Sequence, residues 1–175
     1  RGLRHSGHGN LRVVVPLVRA RGGGEAVRDG VGGHGSGPSN GVRLFVRVGL
    51  PSNAIYAKAF IEKMELSGGS IGTNDLVQTV YAVSRDDLEG YRHQVDARAP
   101  AVKSMIRTAI DAFTSRGLEI GICGQAPSDH PSEFPPFLVD CGISSISVTS
   151  DTVMAVRQTV LEAGMMIAQG IEIEE

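Results

Sequence analysis

The stretch from Pro100 to Cys123, PAVKSMIRTAIDAFTSRG followed by LEIGIC, decides the fold. Val102, Met105, Ile106, Ala109, Ile110 and Phe113 recur at three- and four-residue intervals, with Lys103, Arg107 and Asp111 between them. That spacing predicts an amphipathic helix ending at Gly117, a residue suited to the left-handed turn after a helix. Leu118–Cys123 then reads as a strand.

Moving toward the C-terminus, a loop (GQAPSDHP) precedes an amphipathic stretch from Phe134 to Cys141. A strand over Ile143–Val148 and a final helix from about Asp151 complete this half. Moving toward the N-terminus, Ser70–Asp75 reads as a short strand running into a polar tip, and Leu76–Val83 resumes a helical pattern. Before the break at Ser67-Gly68-Gly69 lie a strand over Val42–Leu50 and a helix reaching about Met64. Ser52 or Asn53 is expected to cap that helix, and Ile55, Ala59, Ile61 and Met64 to form its apolar stripe. A β-branched run, Leu11–Val18, supplies a first strand with Pro16 near its end, where a missing donor is tolerated.

Five strands alternating with helices predict an α/β fold of parallel βα units, either an open sheet or a section of a barrel. The strands are expected to be buried on both faces. Residues 22–41 stand apart: nine of these twenty are glycine, and each glycine in a helix interior costs about 1 kcal/mol relative to alanine.

Composition narrows the function. Seventeen basic residues face nineteen acidic ones, for a net charge of −2 across 175 residues. The basic residues gather at the front, but glycine interrupts them and tryptophan is absent, which argues against nucleic-acid binding. No run approaches the roughly 18 apolar residues of a membrane span. Two cysteines, Cys123 and Cys141, are too few and too far apart for a disulfide framework, so a reducing, cytoplasmic setting is expected. The start, Arg1-Gly2-Leu3-Arg4, lacks an initiator methionine and the features of a signal peptide, which places the expected true N-terminus upstream.

Polar and small residues collect at three strand ends: Gly49–Asn53, Gly72–Asp75 and Gly121–Gln125. In parallel α/β folds ligands bind at these carboxyl ends. Asp75 reads either as a helix cap or, with the Asn74 amide, as an oxygen ligand for a hard cation. Cys123 reads either as a small buried residue or, because glycine flanks it on both sides, as an uncovered acid–base thiol. Cys141 is expected in the core. The five histidines have no zinc spacing, Ser128-Asp129-His130 is expected to shape a loop, and no phosphate-cradling glycine motif occurs.

Four blocks carry a resemblance: GSIGTNDLVQ (69–78), ARAPAVK (97–103), GICGQAPSDHP (121–131) and GISSISVTSDTVMAVRQTV (142–160). They resemble the C-terminal, phosphoenolpyruvate/pyruvate-binding domain of the PEP-utilising enzymes. Gln125–Pro131 looks like the phosphoenolpyruvate synthase version rather than that of pyruvate phosphate dikinase. The resemblance covers roughly residues 10–20 and 41–165. It implies the later strands, the fourth to the eighth, of a (β/α)8 TIM barrel, with an irregular end at 1–10, an atypical segment at 21–41 and a tail at 166–175.

The resemblance also implies an activity. In such enzymes ATP phosphorylates a histidine on a separate domain, and the phosphohistidine transfers its phosphoryl group to pyruvate enolate in the barrel. By that analogy Cys123 is the acid/base, Gly72, Thr73, Asn74 and Asp75 bind substrate, and Asp75 binds Mg2+. The family's second metal carboxylate falls at Gly49, so one ligand is expected to be lost. The upstream ATP-binding and phosphohistidine domains, the barrel's first half and its phosphoryl-holding arginines are not in this chain. A homo-oligomer is implied, as is a chain inactive alone. The switch of composition at 21–40 between matching flanks points to a local frameshift or a decayed copy. The alternatives are a dikinase-like fragment or a degenerate, non-catalytic binding module.

Overall fold

In the computed structural model the described residues are 12–16, 43–64, 66–84 and 96–173. The irregular start, the segment at 21–41 and His5, His8, His34 and His93 lie outside them. Five strands, β1 (Arg12–Pro16), β2 (Arg43–Val48), β3 (Gly68–Gly72), β4 (Glu119–Cys123) and β5 (Ser145–Ile146), form one sheet in the order β1-β2-β3-β4-β5. Every neighbouring pair is parallel. A doubly wound sheet reverses its strand order part-way, whereas an unbroken sequential order with crossovers of one hand is the local topology of a (β/α) barrel wall.

The helices are α1 (Pro51–Ile55), α2 (Ala57–Met64), α3 (Thr73–Tyr81), α4 (Pro100–Thr114), α5 (Ala126–Asp129), α6 (Phe134–Asp140) and α7 (Val153–Ala168). The predicted central helix is α4, and Val102, Ile106, Ala109, Ile110 and Phe113 are all buried. Gly117, at φ +67°, makes the left-handed exit, and the Leu118 N–H returns to the Phe113 carbonyl at 3.1 Å.

Four expectations need correction. The helix after β2 has no side-chain cap: Leu50 stands at its N-cap, and Pro51 opens it. It also breaks at Tyr56, and its buried stripe is Ala54, Ala57, Ile61 and Met64, while Ile55 and Ala59 are exposed. The buried residues keep one helical spacing, i, i+3, i+7 and i+10, through Tyr56, whereas Ile55 and Ala59 are apolar residues off that face. The loop after β4 contains the short helix α5, started by Pro127 in its first turn. The last strand contracts from 143–148 to Ser145–Ile146.

The largest correction concerns the sheet's faces. Strand alternation places Leu44, Val46, Val48, Gly69, Ile71, Ile120, Ile122 and Ile146 on one face, and there the helices pack. The other face carries Phe45, Arg47, Gly68, Ser70, Gly72, Glu119, Gly121, Cys123 and Ser145. Phe45 and Gly68 are buried, but Arg47 and Cys123 are half-buried and Glu119 and Ser145 exposed. The helix-facing side is the main hydrophobic core; apart from the buried Phe45, the inner side is small and polar, as a surface facing a barrel's interior near its mouth can be.

Cys141 caps the C-terminal end of α6, half-buried and packed against the core's edge. Among the described residues, no helix is long and apolar enough to cross a membrane.

Candidate functional site at the carboxyl ends of β2, β3 and β4

Register brings the predicted residues together. Gly72, the last residue of β3, lies opposite Cys123, the last of β4. The chain turns directly from β3 into α3, so Thr73, Asn74 and Asp75 form the helix's first turn above the strand end. Thr73 is buried and donates its hydroxyl to the Cys123 carbonyl at 3.3 Å, which ties the two strand ends together. The Ser70 hydroxyl donates to the Cys123 sulfur at 3.5 Å from one pleat lower on the same face. Cys123 is thus a free thiol, half-buried, on the inner face.

Asp75 is not a cap. Gly72 holds the N-cap position of α3 and no side chain caps it, while Asp75 sits in the first turn, where a negative charge is favoured by the helix dipole. Its carboxylate points toward β2 and pairs with the Arg47 guanidinium at 2.8 Å; the two side chains are 50% and 40% exposed. Arg47 reaches Asp75 by lying across Gly72: a Cβ built on Gly72 would stand 2.8 Å from Arg47 Nε. Only glycine leaves that path open. Nε itself is buried and, among the described residues, has no hydrogen-bond partner.

Position 49 completes the corner. A Cβ on Gly49 would stand 3.3 Å from an Asp75 carboxylate oxygen, so any side chain there would meet the Arg47–Asp75 pair. The Thr79 hydroxyl lies 3.1 Å from the Gly49 carbonyl and 2.8 Å from that of Asp75, fixing α3 to the β2 loop. Asn53, buried, donates to the Arg47 carbonyl at 3.2 Å and closes the same loop from the other side.

The sequence reading missed Arg47, Ser70 and Thr79. For the first two a signal existed: Arg47 stands two residues before Gly49 and Ser70 two before Gly72, so strand alternation puts them on the site's face. Thr79 is one helical turn beyond Asp75, on the same side of α3.

A second polar group braces the rim. Arg98 donates to Asp96 at 2.8 Å and to Glu133 at 2.8 Å, and His130 Nε2 lies 3.8 Å from Asp96. Burial opposes ionisation of Asp96, but the Arg98 hydrogen bonds and charge outweigh it and hold the carboxyl below its ordinary value. The same bonds to Asp96 and Glu133 raise the Arg98 guanidinium further above its ordinary range. Ser128 accepts from the Thr149 N–H at 2.9 Å and from the Thr152 hydroxyl at 3.1 Å, so the Ser128-Asp129-His130 run does shape a loop.

Sequence comparisons give the family independently of this geometry. The profile of the "PEP-utilising enzyme, PEP-binding domain" family matches residues 3–165. The chain belongs to the PEP-utilising enzymes. Among PEP-utilising relatives, the phosphoenolpyruvate synthase of Neisseria meningitidis serogroup B is 40% identical over 146 residues, which is 83% of this chain and 18% of that protein. The synthase of Synechocystis is 41% identical over 146 residues, 83% of this chain and 17% of the relative. That of Escherichia coli K12 is 36% identical over 147 residues, again 83% against 18%. The chain therefore spans about a fifth of the length of the synthases it matches.

Solved structures support the architecture alone. A citrate lyase from Burkholderia xenovorans matches 91% of this chain and 55% of its own at TM-score 0.58 and 10% identity. An HpcH/HpaI aldolase from Desulfitobacterium hafniense matches 92% of this chain and 64% of its own at TM-score 0.50 and 12% identity. Both are TIM-barrel-type proteins, in keeping with a partial barrel here.

The donor set can be tested against the Mg2+ that the resemblance implies. Magnesium takes hard oxygen ligands, commonly one or two carboxylates. Here Asp75 is one carboxylate already joined to a guanidinium, and Gly49 offers no side chain. Among the described residues no three His, Cys, Asp or Glu side chains stand together as a metal group. Glu62 is paired with Arg116 at the far end of α4. A dication about 4 Å from a guanidinium is opposed by about 8 kcal/mol at an effective dielectric near 20, less with solvent screening. The residues present do not fit the metal.

Proposed function

We propose that the corner between β2, β3 and β4 is the pyruvate/phosphoenolpyruvate-binding surface of a phosphoenolpyruvate synthase-like phosphotransferase. In this reading Gly72, Thr73 and Asn74 line the three-carbon acid, and Cys123 exchanges a proton with the methyl carbon of pyruvate. Asp75 orients Arg47 at the same mouth. The phosphoryl group comes from a phosphohistidine on another domain, charged in turn by an ATP-binding domain, and the chain by itself does not complete a turnover. Mg2+ has no part in the steps assigned here, because the donor set does not fit it. The barrel strands are the fourth to the eighth, the domain spans 11–165, and the protein works as a cytoplasmic homo-oligomer.

The observation that carries this reading is the joining of Thr73 to the Cys123 carbonyl across the ends of β3 and β4, with Asp75 in the same first helical turn as Thr73. That bond supports a shared opening for Cys123 and the first turn of α3, the arrangement that catalysis at the carboxyl ends of parallel strands requires. The test is a titration of the full chain with oxalate, an enolate mimic, and with pyruvate, followed by amide NMR. Shifts confined to this corner, at residues 47–49, 72–75 and 121–124, are expected; shifts elsewhere, or none, would refute the reading.

A second reading, a non-catalytic remnant that binds a ligand or partner, is favoured by one observation: position 49 carries no carboxylate beside Asp75. Exchange of the pyruvate methyl protons for deuterium separates the two. The catalytic reading expects slow exchange that Cys123→Ala abolishes, whereas the remnant binds and exchanges nothing.

A further inference from the structure

Arg47 is the feature that neither the motif residues nor the family's chemistry accounts for. Its guanidinium sits where the ends of β2 and β3 meet, 2.8 Å from the Asp75 carboxylate. It reaches that place across the bare Cα of Gly72, and Nε is buried with no acceptor among the described residues. A side chain at position 49 would touch the same carboxylate oxygen. Three positions, 47, 49 and 75, therefore converge on one small volume that holds one positive and one negative charge.

We propose that Arg47 is the resident cation of this site, a guanidinium in the place of a divalent metal. The mouth therefore takes a small 2-oxo acid or dicarboxylate on nitrogen donors and takes no metal ion. The substrate part of this inference rests on the carboxylate-site reading above; the exclusion of metal does not.

Charge supports the exchange. A metal held by two carboxylates and a guanidinium held by one each leave the corner able to attract a carboxylate. Both arrangements are formally neutral: two carboxylates balance a dication, and Asp75 alone balances Arg47, so the missing carboxylate at Gly49 and the added guanidinium together offset the absence of a dication, whereas Arg47 beside a two-carboxylate metal site would repel the ion. Geometry supports it too. Asp75 engages one terminal nitrogen of a planar fork, and the remaining terminal N–H groups stay available to a planar carboxylate, the pairing for which arginine is suited. The Arg47 side chain is 40% exposed, so a ligand can reach it.

This has a consequence for repair. Gly49→Glu alone should not create a metal site, because the new carboxylate would join Asp75 around Arg47. Removing the guanidinium while keeping its apolar stem, in the double variant Arg47→Met with Gly49→Glu, should leave two carboxylates facing each other without a cation between them.

The experiment uses the full chain and two probes. Mn2+ is titrated and read by paramagnetic broadening of the amides of Asn74 and Asp75, and oxalate is titrated by calorimetry in excess EDTA and again in Mg2+. The wild type and Gly49→Glu should show no selective Mn2+ broadening at those amides, and the double variant should show it. Wild-type oxalate affinity should be the same in EDTA and in Mg2+, and Arg47→Met should weaken it by about tenfold or more. Selective broadening in the wild type or in Gly49→Glu alone, or oxalate binding only with metal present, would overturn the inference. If no form binds oxalate while the Mn2+ pattern holds, Arg47 remains the cation and the carboxylate-site reading fails. Thermal unfolding of each variant checks that it is folded.

Discussion

The two faces of the sheet obey different rules. Toward the helices, Val46, Val48, Ile71, Ile120 and Ile122 are buried against Ile106, Ile110 and Phe113, and burial of apolar area supplies the stability. Toward the interior, the same strands present Arg47, Ser70, Gly72, Gly121 and Cys123, held by one ion pair and a few hydrogen bonds. One set of strands thus carries a scaffold on one side and a reactive surface on the other, and the pleat separates the two by a single residue.

The contrast predicts the largest losses on the helix side. Phe113→Ala should destabilise the chain by about 3–5 kcal/mol in urea unfolding, because Phe113 is fully buried and lies against Gly69. A loss near that of a surface change would break the division between the faces. A smaller effect is expected at the rim: Ser128→Ala removes the acceptor for Thr149 and should cost about 1 kcal/mol.

The Asp96–Arg98 pair gives a pH test. Because the folded carboxyl lies below its ordinary 3.8, its contribution is complete above that value and is lost as pH falls through the folded value. The wild type should lose this stabilisation on acidification, and Arg98→Met should flatten that part of the urea midpoint–pH curve. An unchanged slope would show that the pair contributes nothing. At the small end, Ser70→Ala should move stability by no more than about 0.5 kcal/mol, since its hydroxyl meets a sulfur at 3.5 Å on the open face. A larger loss would mean that the inner face also bears stability.

How much of this was legible beforehand differs element by element. The helix at 100–114 was plain because six apolar residues share one face at helical spacing, a local property. The helix after β2 was only half legible: its proline start was visible, but its buried face runs through the small residues Ala54 and Ala57 while the larger Ile55 is exposed, so apolar character alone did not pick out the stripe. The site was legible at Cys123 and at Gly72–Asp75 through their strand-end position and their resemblance to a family. Its partner Arg47 was overlooked because an arginine in a strand has no meaning until a neighbouring strand supplies what it faces.

By itself, then, the sequence determined the alternation of strands and helices, the apolar stripe of the central helix, the family and the residues gathered at the strand ends, since all of these depend on spacing along one segment. Only the tertiary structure decided that the sheet's interior face is polar, that Asp75 answers to Arg47 rather than capping its helix, and that Gly49 and Gly72 leave room for that pairing. Those facts depend on parallel register and on close approach between segments more than twenty residues apart, and no local pattern encodes either.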